Sequence, residues 1–423
     1  MKLKLIYPRW TKLDRQTEFH LPPHGPVVFA AALPDYIDVQ FIDENVQAID
    51  YDEQVDVVAL SMMLTIQINR GIAIAKKFRS KGIPVIAGGI ATMLHAEQMT
   101  GQVDAVFLGE AEGRMEKLFD DLKKNCLAPV YDYLSSQPPI ESVGPARRDI
   151  LERDLYNYKG VQMVDLVHAS RGCRFNCYPC AVAYLGGRKF RPRPIDKTIE
   201  ELAAIDNNRL FIVDNSLAQD KQWEMDLFRE MIPLKKKWCC HPIENDPKVL
   251  DLAAQAGAWY VYQAVFDTSD LIRDRIKRYH DYGIGVEGTI LLGLDHHTED
   301  SIKRLIDFLL EIDLDLAEFT VLTPFPHTRA WEELNSQKRI LSYDWDEYSA
   351  DKVVFQPKNM APERLQELLQ YSWDAFYQDE PQNIKMYKLL KTVIQKEKAD
   401  NTYQPRNRDL VRSAFGRPAG QHR

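Results

Sequence analysis

Ala169-Ser-Arg-Gly-Cys173-Arg-Phe-Asn-Cys177-Tyr-Pro-Cys180 is the stretch from which the rest of the chain can be read. It follows Met163 to His168, a short apolar run with the character of a buried strand, so the three cysteines sit in a loop at a strand's carboxyl end. Their spacing, four residues and then three, lets one tight loop wrap a single inorganic cluster. Iron–sulfur clusters take thiolate ligands, and four irons held by only three cysteines leave one iron open to a small molecule. The alternative is a zinc site, which needs a fourth ligand such as Cys239, Cys240 or His241. Zinc ligands usually come as two separate Cys-x-x-Cys elements, which weighs against it.

Downstream of the loop, further strand-like runs at Leu210 to Val213, Tyr260 to Val265, Val286 to Leu292 and Glu318 to Leu322 alternate with helical stretches. Repeated βα units predict a barrel or partial barrel with its active groups on the loops after the strands. Upstream, strands are expected at Leu3 to Tyr7, Val39 to Ile42, Val55 to Ser61, Ile83 to Ala87 and Ala105 to Leu108, with helices at Ile68 to Ser80 and Ala111 to Lys124. That alternation is the pattern of a doubly wound parallel sheet, whose ligand lies beyond the carboxyl ends of the strands. A Pro-, Ser- and Gly-rich stretch separates the two series and reads as a linker. After Thr323-Pro-Phe-Pro an aromatic-rich region begins, with a helix expected at Pro362 to Tyr377 and a loose tail from Asn401. The division predicted is therefore a Rossmann-like domain over 1–130, a linker over 131–155, a partial (β/α)6 barrel over 156–325 and a mainly helical region over 326–423, an α/β protein throughout.

The chain's 423 residues, 45% hydrophobic and 27% charged, are ordinary for a folded globular protein. Of its six cysteines three fall within eight residues, which in a reducing compartment reads as metal binding rather than as disulfides. A net charge of −8 gives no general attraction to nucleic acid or anionic lipid; the local exception is Arg188, Lys189, Arg191 and Arg193. No stretch reaches the roughly 18 apolar residues that span a bilayer, and the amino terminus lacks a signal-peptide pattern, so a cytoplasmic protein is expected.

The cysteine loop, with Arg171-Gly172 before it and a strand before that, resembles the signature of the radical S-adenosylmethionine (SAM) superfamily, Cys-x-x-x-Cys-x-x-Cys after the first strand of a partial barrel. The resemblance implies a 4Fe–4S cluster on Cys173, Cys177 and Cys180, SAM chelated to the open iron, and one-electron cleavage of SAM to a 5′-deoxyadenosyl radical that abstracts hydrogen. It also implies an external electron donor such as flavodoxin or ferredoxin. Where the family usually has an aromatic residue before the third cysteine this chain has Pro179, with Tyr178 one place earlier as the candidate for the adenine contact.

A wider resemblance, to the branch of the superfamily with an amino-terminal cobalamin-binding domain, runs through Gly285-Val-Glu-Gly-Thr-Ile-Leu-Leu-Gly-Leu-Asp and Ala317-Glu-Phe-Thr-Val-Leu-Thr-Pro-Phe-Pro. It implies that Ser61, Thr65, Gly88, Gly89, Gly109 and Glu110 embrace the cobalamin tail, the glycines allowing backbone to approach the ligand. Cobalamin domains of other enzymes carry Asp-x-His-x-x-Gly, whose His ligates cobalt; here Asn45 in Asp43-Glu-Asn45 stands in that place, which implies cobalamin without a lower protein ligand from this motif.

Asp214, Asn215 and Glu244 are positioned to accept hydrogen bonds from the SAM amine or ribose, with a turn or helix-cap role as the plainer reading. Cys239 and Cys240 are candidates for catalysis as proton donors or ligands if they lie near the barrel mouth, and otherwise small buried hydrophobes. His24, His296 and His297 belong with polar loops unless they line the pocket. The function expected is a cobalamin-dependent radical SAM methyltransferase acting on an unactivated carbon of a small-molecule or peptide substrate. A cyclase, oxidase or rearrangement enzyme with the same cofactors, and a non-catalytic sensor, are the alternatives.

Overall fold

The structure is a computed structural model describing residues 1–11, 20–158 and 161–405. Its first sheet has six strands: β1 (Lys2–Tyr7), β2 (Asp38–Asp43), β3 (Val57–Ser61), β4 (Val85–Gly88), β5 (Ala105–Leu108) and β6 (Val130–Asp132). They run in the order β2-β1-β3-β4-β5-β6 and all pair in parallel. Central strands such as Val57-Val-Ala-Leu are buried on both faces because helices cover the sheet on either side, which is why they read as unbroken apolar runs. Helix α1 (His24–Ala31) lies on one face with α3 (Met115–Lys123); α2 (Ile68–Arg79) buries Ile68, Ile74, Ala75 and Phe78 against the other.

The stretch expected to be a linker from 131 onward belongs to this domain. Tyr131 in β6, Leu151 and Tyr156 all enter the apolar cluster around Leu3, Leu5 and Phe41, and the Tyr156 hydroxyl donates to Asp43 Oδ2 at 3.1 Å. Its many prolines suppress periodicity without keeping it out of the core. Helix α3 starts at Met115 rather than Ala111, because Glu110 and Glu112 are turned away to meet Arg171.

The second sheet comprises β7 (Asp165–Val167), β8 (Arg209–Ile212), β9 (Lys237–Cys240), β10 (Ala258–Ala264), β11 (Gly285–Leu292) and β12 (Leu316–Val321), parallel and in sequential order. The strand β9 has no counterpart in the sequence reading, since Lys-Trp-Cys-Cys shows no alternation. Helices α4 (Ile195–Ala204), α5 (Lys221–Met231), α6 (Pro247–Gln255), α7 (Asp270–Asp281) and α8 (Glu299–Glu311) lie between the strands. Their starts are written locally: Asp220 accepts from the Gln222 and Trp223 amides, Asp246 precedes Pro247, and Thr298 with Ser301 forms a capping box. The sheet is strongly curved, for the rings of Phe211 on β8 and Tyr262 on β10 stack at 5.4 Å across the intervening strand. This is a six-stranded partial barrel.

Helices α9 (Arg329–Ser336), α10 (Pro362–Phe376) and α11 (Gln382–Ala399) follow. Trp345 and Tyr348 pack into the apolar cluster beneath β3 and β4, so this region bears on the first domain as well as on the barrel. Leu389 and Val393 of α11 close the amino end of the barrel, and Glu397 pairs with Arg209 of β8 at 2.8 Å, both buried. Most of the tail expected from Asn401 lies outside the described residues.

Candidate functional site

The cysteine loop is closed at its neck. Ser170–Arg171 pairs antiparallel with Arg191–Pro192, enclosing residues 172–190 in one excursion from the end of β7. Gly172 is the hinge of that excursion: its φ is +74°, and a Cβ there would stand 2.1 Å from the Lys189 carbonyl oxygen, so no other residue fits. The loop is fastened from below by Asp214, just past β8, which accepts from the Ala169 amide at 2.8 Å and from the Ser170 hydroxyl. Burial pushes Asp214 up to about 6 against the pull of those donors.

Gln219 reaches the loop from the same side. Its Oε1 accepts from the Arg174 amide at 3.0 Å and its Nε2 donates to Cys173 Sγ at 3.3 Å, the kind of contact that steadies a thiolate ligand. Cys173 is buried, Cys177 and Cys180 are exposed, and none is in a disulfide. Burial raises the Cys180 thiol and the neighbouring thiols of Cys177 and Cys173 add to it, so the three sulfurs lie within one another's field. Three free thiols gathered in one pinned loop, one of them already accepting a hydrogen bond, fit a cluster that takes one thiolate per iron. Of the fourth ligands a zinc site would need, Cys239 and Cys240 are buried in β9, one facing the barrel interior and the other the outer core.

At the carboxyl ends of β3, β4 and β5 a cleft of about 180 Å³ opens. Leu5, Ala59, Ile86 and Phe107 form its floor; Gly25, Ser61, Gly88, Gly89, Gly109 and Glu110 are on its walls. An apolar cleft with few polar groups at its rim suits part of an organic ligand, such as its tail. The glycines act differently from the expectation. Gly89 and Gly109 have φ of +93° and +103°, and an added Cβ would strike the Met62 and Tyr133 backbones, so they are required by chain packing more than by approach to a ligand. Two expected residues are elsewhere. Thr65 is buried with its hydroxyl 3.0 Å from His95 Nε2. Asn45 spends its side chain on the Trp10 amide and Asp43, and does not line the cleft.

Arg171 joins the two sites. Immediately before the cysteine loop, its guanidinium donates to Glu112 at 2.6 Å and to Glu110 at 2.8 Å on the rim of the cleft. Arg191 pairs with Glu110 as well. Burial alone would raise Glu110, but the Arg191 and Arg171 guanidiniums outweigh it and hold the carboxyl below its ordinary range. Of the basic run, Arg191 and Arg193 are thus structural, Arg193 being buried against Glu201 at 2.7 Å, while Arg188 and Lys189 are exposed.

The remaining expectations separate. Asn215 is exposed at the end of β8, and Glu244 is half-buried with its amide donating to Glu224. Tyr178 turns outward, its ring 5.9 Å from the Arg329 guanidinium and against the main core. Cys240 faces the outer core, and Cys239 faces inward at the closed end of the barrel, its thiol donating to the Leu210 carbonyl. Burial pushes Cys239 up to about 12 and Cys240 well above its usual range, so both are neutral thiols packed in the core. His297 accepts from the Gly293 amide in a tight turn and His296 is exposed; His24 pairs with His168, Nε2 to Nδ1 at 2.7 Å, between the two domains. Gln219, Glu112, Glu287 and Glu318 were absent from the sequence reading; for the last two the signal was a carboxylate at an inward position of an apolar strand.

The comparisons agree with this layout. Residues 13–119 match the B12 binding domain family. The chain is 25% identical to the bacteriochlorophyllide d C-12(1)-methyltransferase of Chlorobaculum tepidum over 82% of its own length and 80% of the relative's. It is 20% identical to an anaerobic magnesium-protoporphyrin IX monomethyl ester cyclase of Cereibacter sphaeroides, over 89% of this chain and 70% of that one. The fold is that of the radical SAM methyltransferase TsrM of Kitasatospora setae, solved with cobalamin and a 4Fe–4S cluster: TM-score 0.65 at 14% identity, covering 89% of this chain and 88% of that one. The first domain is thus similar to B12 binding domains, and the chain shares its fold with a radical SAM methyltransferase.

Proposed function

We propose that this chain is a cobalamin-dependent radical SAM enzyme that transfers a methyl group to an unactivated carbon. The observation that carries it is Arg171, one residue before the loop hinge, bridging the cysteine loop to the rim of the cobalamin cleft, so that both cofactor sites open on one seam. When bound there, the cluster supplies the electron that cleaves SAM to the 5′-deoxyadenosyl radical and cobalamin supplies the methyl group. The chain's own part is to hold and orient. Cys173, Cys177 and Cys180 ligate the irons; Gln219 steadies the first thiolate; Asp214 and Gly172 fix the loop's path, with Asp214 acting through the loop instead of touching SAM. Asn215, at the end of β8, is the candidate for SAM's polar groups. Ser61, Gly88, Gly109 and Glu110 hold the cobalamin tail. An external electron donor such as flavodoxin or ferredoxin, and a cytoplasmic setting, complete the reading. No helix among the described residues is long and apolar enough to cross a membrane.

The likeness to a cyclase keeps a second reading, the same cofactors with ring closure in place of methylation. The test is anaerobic incubation of reconstituted protein with SAM, hydroxocobalamin and a strong reductant. Formation of both 5′-deoxyadenosine and methylated cobalamin, lost together in the triple Cys→Ala variant, is the result expected. Deoxyadenosine with no cobalamin methylation would select the second reading, and neither product from a cluster-loaded sample would overturn both.

A further inference from the structure

The lumen of the barrel is polar where a core would be apolar. On β11 the outward residues Val286, Ile290 and Leu292 are fully buried, while Glu287, Thr289 and Leu291 between them retain access to solvent from within; on β12 Glu318 and Thr320 do the same. Register places Tyr262 of β10 beside Glu287, and Thr289 beside Glu318, so the two carboxyls sit one step apart on adjoining strands. Around them stands an aromatic wall: Phe211 stacks on Tyr262 at 5.4 Å, His241 lies 5.5 Å from Tyr262, and the Tyr260 and Tyr262 hydroxyls are 3.1 Å apart.

No cation answers these carboxyls. Among the described residues the charged group acting on Glu287 is Glu318, no Lys or Arg side chain reaches either carboxyl, and Glu287 has the Tyr262 hydroxyl as a hydrogen-bond donor. Burial first, and then the mutual repulsion, push Glu287 up to about 8; burial raises Glu318. Two carboxyls in one enclosed space with no cation beside them are costly to ionise unless something charged completes them. A separate observation points the same way. His168, past the end of β7 on the lumen side in the alternation set by Leu166, is 7% exposed, and its Nε2 has no hydrogen-bond partner among the described residues. The closed end below is sealed by Cys239, Trp259 and Val393, so a ligand enters from the mouth, past the cysteine loop.

We infer that Glu287 and Glu318, with the rings of Tyr262 and Phe211, form a substrate subsite for a cationic nitrogen, an amine or guanidine group, so that the substrate is an organic cation held by its charged end inside the barrel with its apolar part toward the mouth. The carboxyl pair supplies the countercharge and the aromatic faces the cation–π contact. This deepens the reading above, on which it rests for the position of the reacting carbon; the binding it predicts is measured without turnover.

The test uses cluster-reconstituted full-length protein with SAM and three probes of one shape: 3-phenylpropylamine, 3-phenylpropanol and 3-phenylpropanoate. Saturation-transfer NMR and equilibrium dialysis score binding to the wild type, Glu287→Gln, Glu318→Gln and the double variant, with SAM affinity measured alongside. The amine should bind and the alcohol and acid should not; the double variant should lose at least tenfold in amine affinity with SAM affinity unchanged. Equal binding of the alcohol, amine binding that survives the double substitution, or no amine binding to a folded wild type overturns the subsite. A parallel fall in SAM affinity would assign the carboxyls to SAM and overturn it too. Failure of the wild type to form 5′-deoxyadenosine would sink the radical mechanism instead, and leaves the amine result to be scored separately.

Discussion

Replacing Arg171 by Met tests the seam between the two cofactor sites. Its side chain is 15% exposed and Glu112's is 6%, so the pair is largely out of water, and Glu112 has Arg171 as its hydrogen-bonded cation. Removing one partner of a buried pair costs roughly 3–5 kcal/mol because the other charge is left uncompensated. Glu110 keeps Arg191, so the loss should lie at the lower end, about 3 kcal/mol. Glu112→Gln alone should cost about 2 kcal/mol, since Arg171 retains Glu110. In the double variant no charge is stranded, and the total should fall short of the sum by at least about 2 kcal/mol, the coupling expected of directly hydrogen-bonded charges. The assay is denaturant unfolding of the four proteins at one ionic strength, with cobalamin affinity titrated in parallel. Losses that simply add, within about 0.5 kcal/mol, would refute the claim that this contact joins the domains.

Gly172→Ala should abolish iron uptake while leaving the circular dichroism of the fold in place, because the clash with the Lys189 carbonyl is confined to the loop; iron content per chain is the readout. Asp214→Asn should lower cluster occupancy without changing the cobalamin affinity of the apoprotein, since it loosens the loop from the barrel side only. At Gly88 an added Cβ meets nothing nearer than the Phe107 carbonyl at 3.7 Å, so Gly88→Leu should fold and block the cleft, with a cobalamin affinity reduced at least tenfold in a titration. Glu287 has its folded pKa raised from 4.5 to about 8, so between those values the unfolded chain has released a proton that the folded one keeps. Stability therefore declines as pH rises from about 4.5 toward 8, and Glu287→Gln should flatten that decline in a series of thermal melts.

By itself the sequence determined the order of βα units and the position of the three-cysteine loop after a strand, because strand and helix periods and a tight cluster of ligands are local properties; that Gly172 is the loop's hinge only the structure shows. Of the seven residues that the resemblance placed at one ligand site, Ser61, Gly88, Gly89, Gly109 and Glu110 line one cleft, since strand ends in a doubly wound sheet converge on one edge, and Asn45 and Thr65 do not. The sequence missed β9, whose Lys-Trp-Cys-Cys has no period, and took 131–155 for a linker, because prolines hide burial that only packing against Leu3 and Phe41 reveals. What only the tertiary structure decided is the use of each polar group. Asp214 turned to the loop, Asn45 to Trp10 and Thr65 to His95, because a buried acceptor takes the nearest donor that folding brings to it, and those partners lie 30 or more residues away. The same long-range closure paired Arg171 with Glu112 and set Glu287 and Glu318 on adjoining strands with no cation beside them among the described residues.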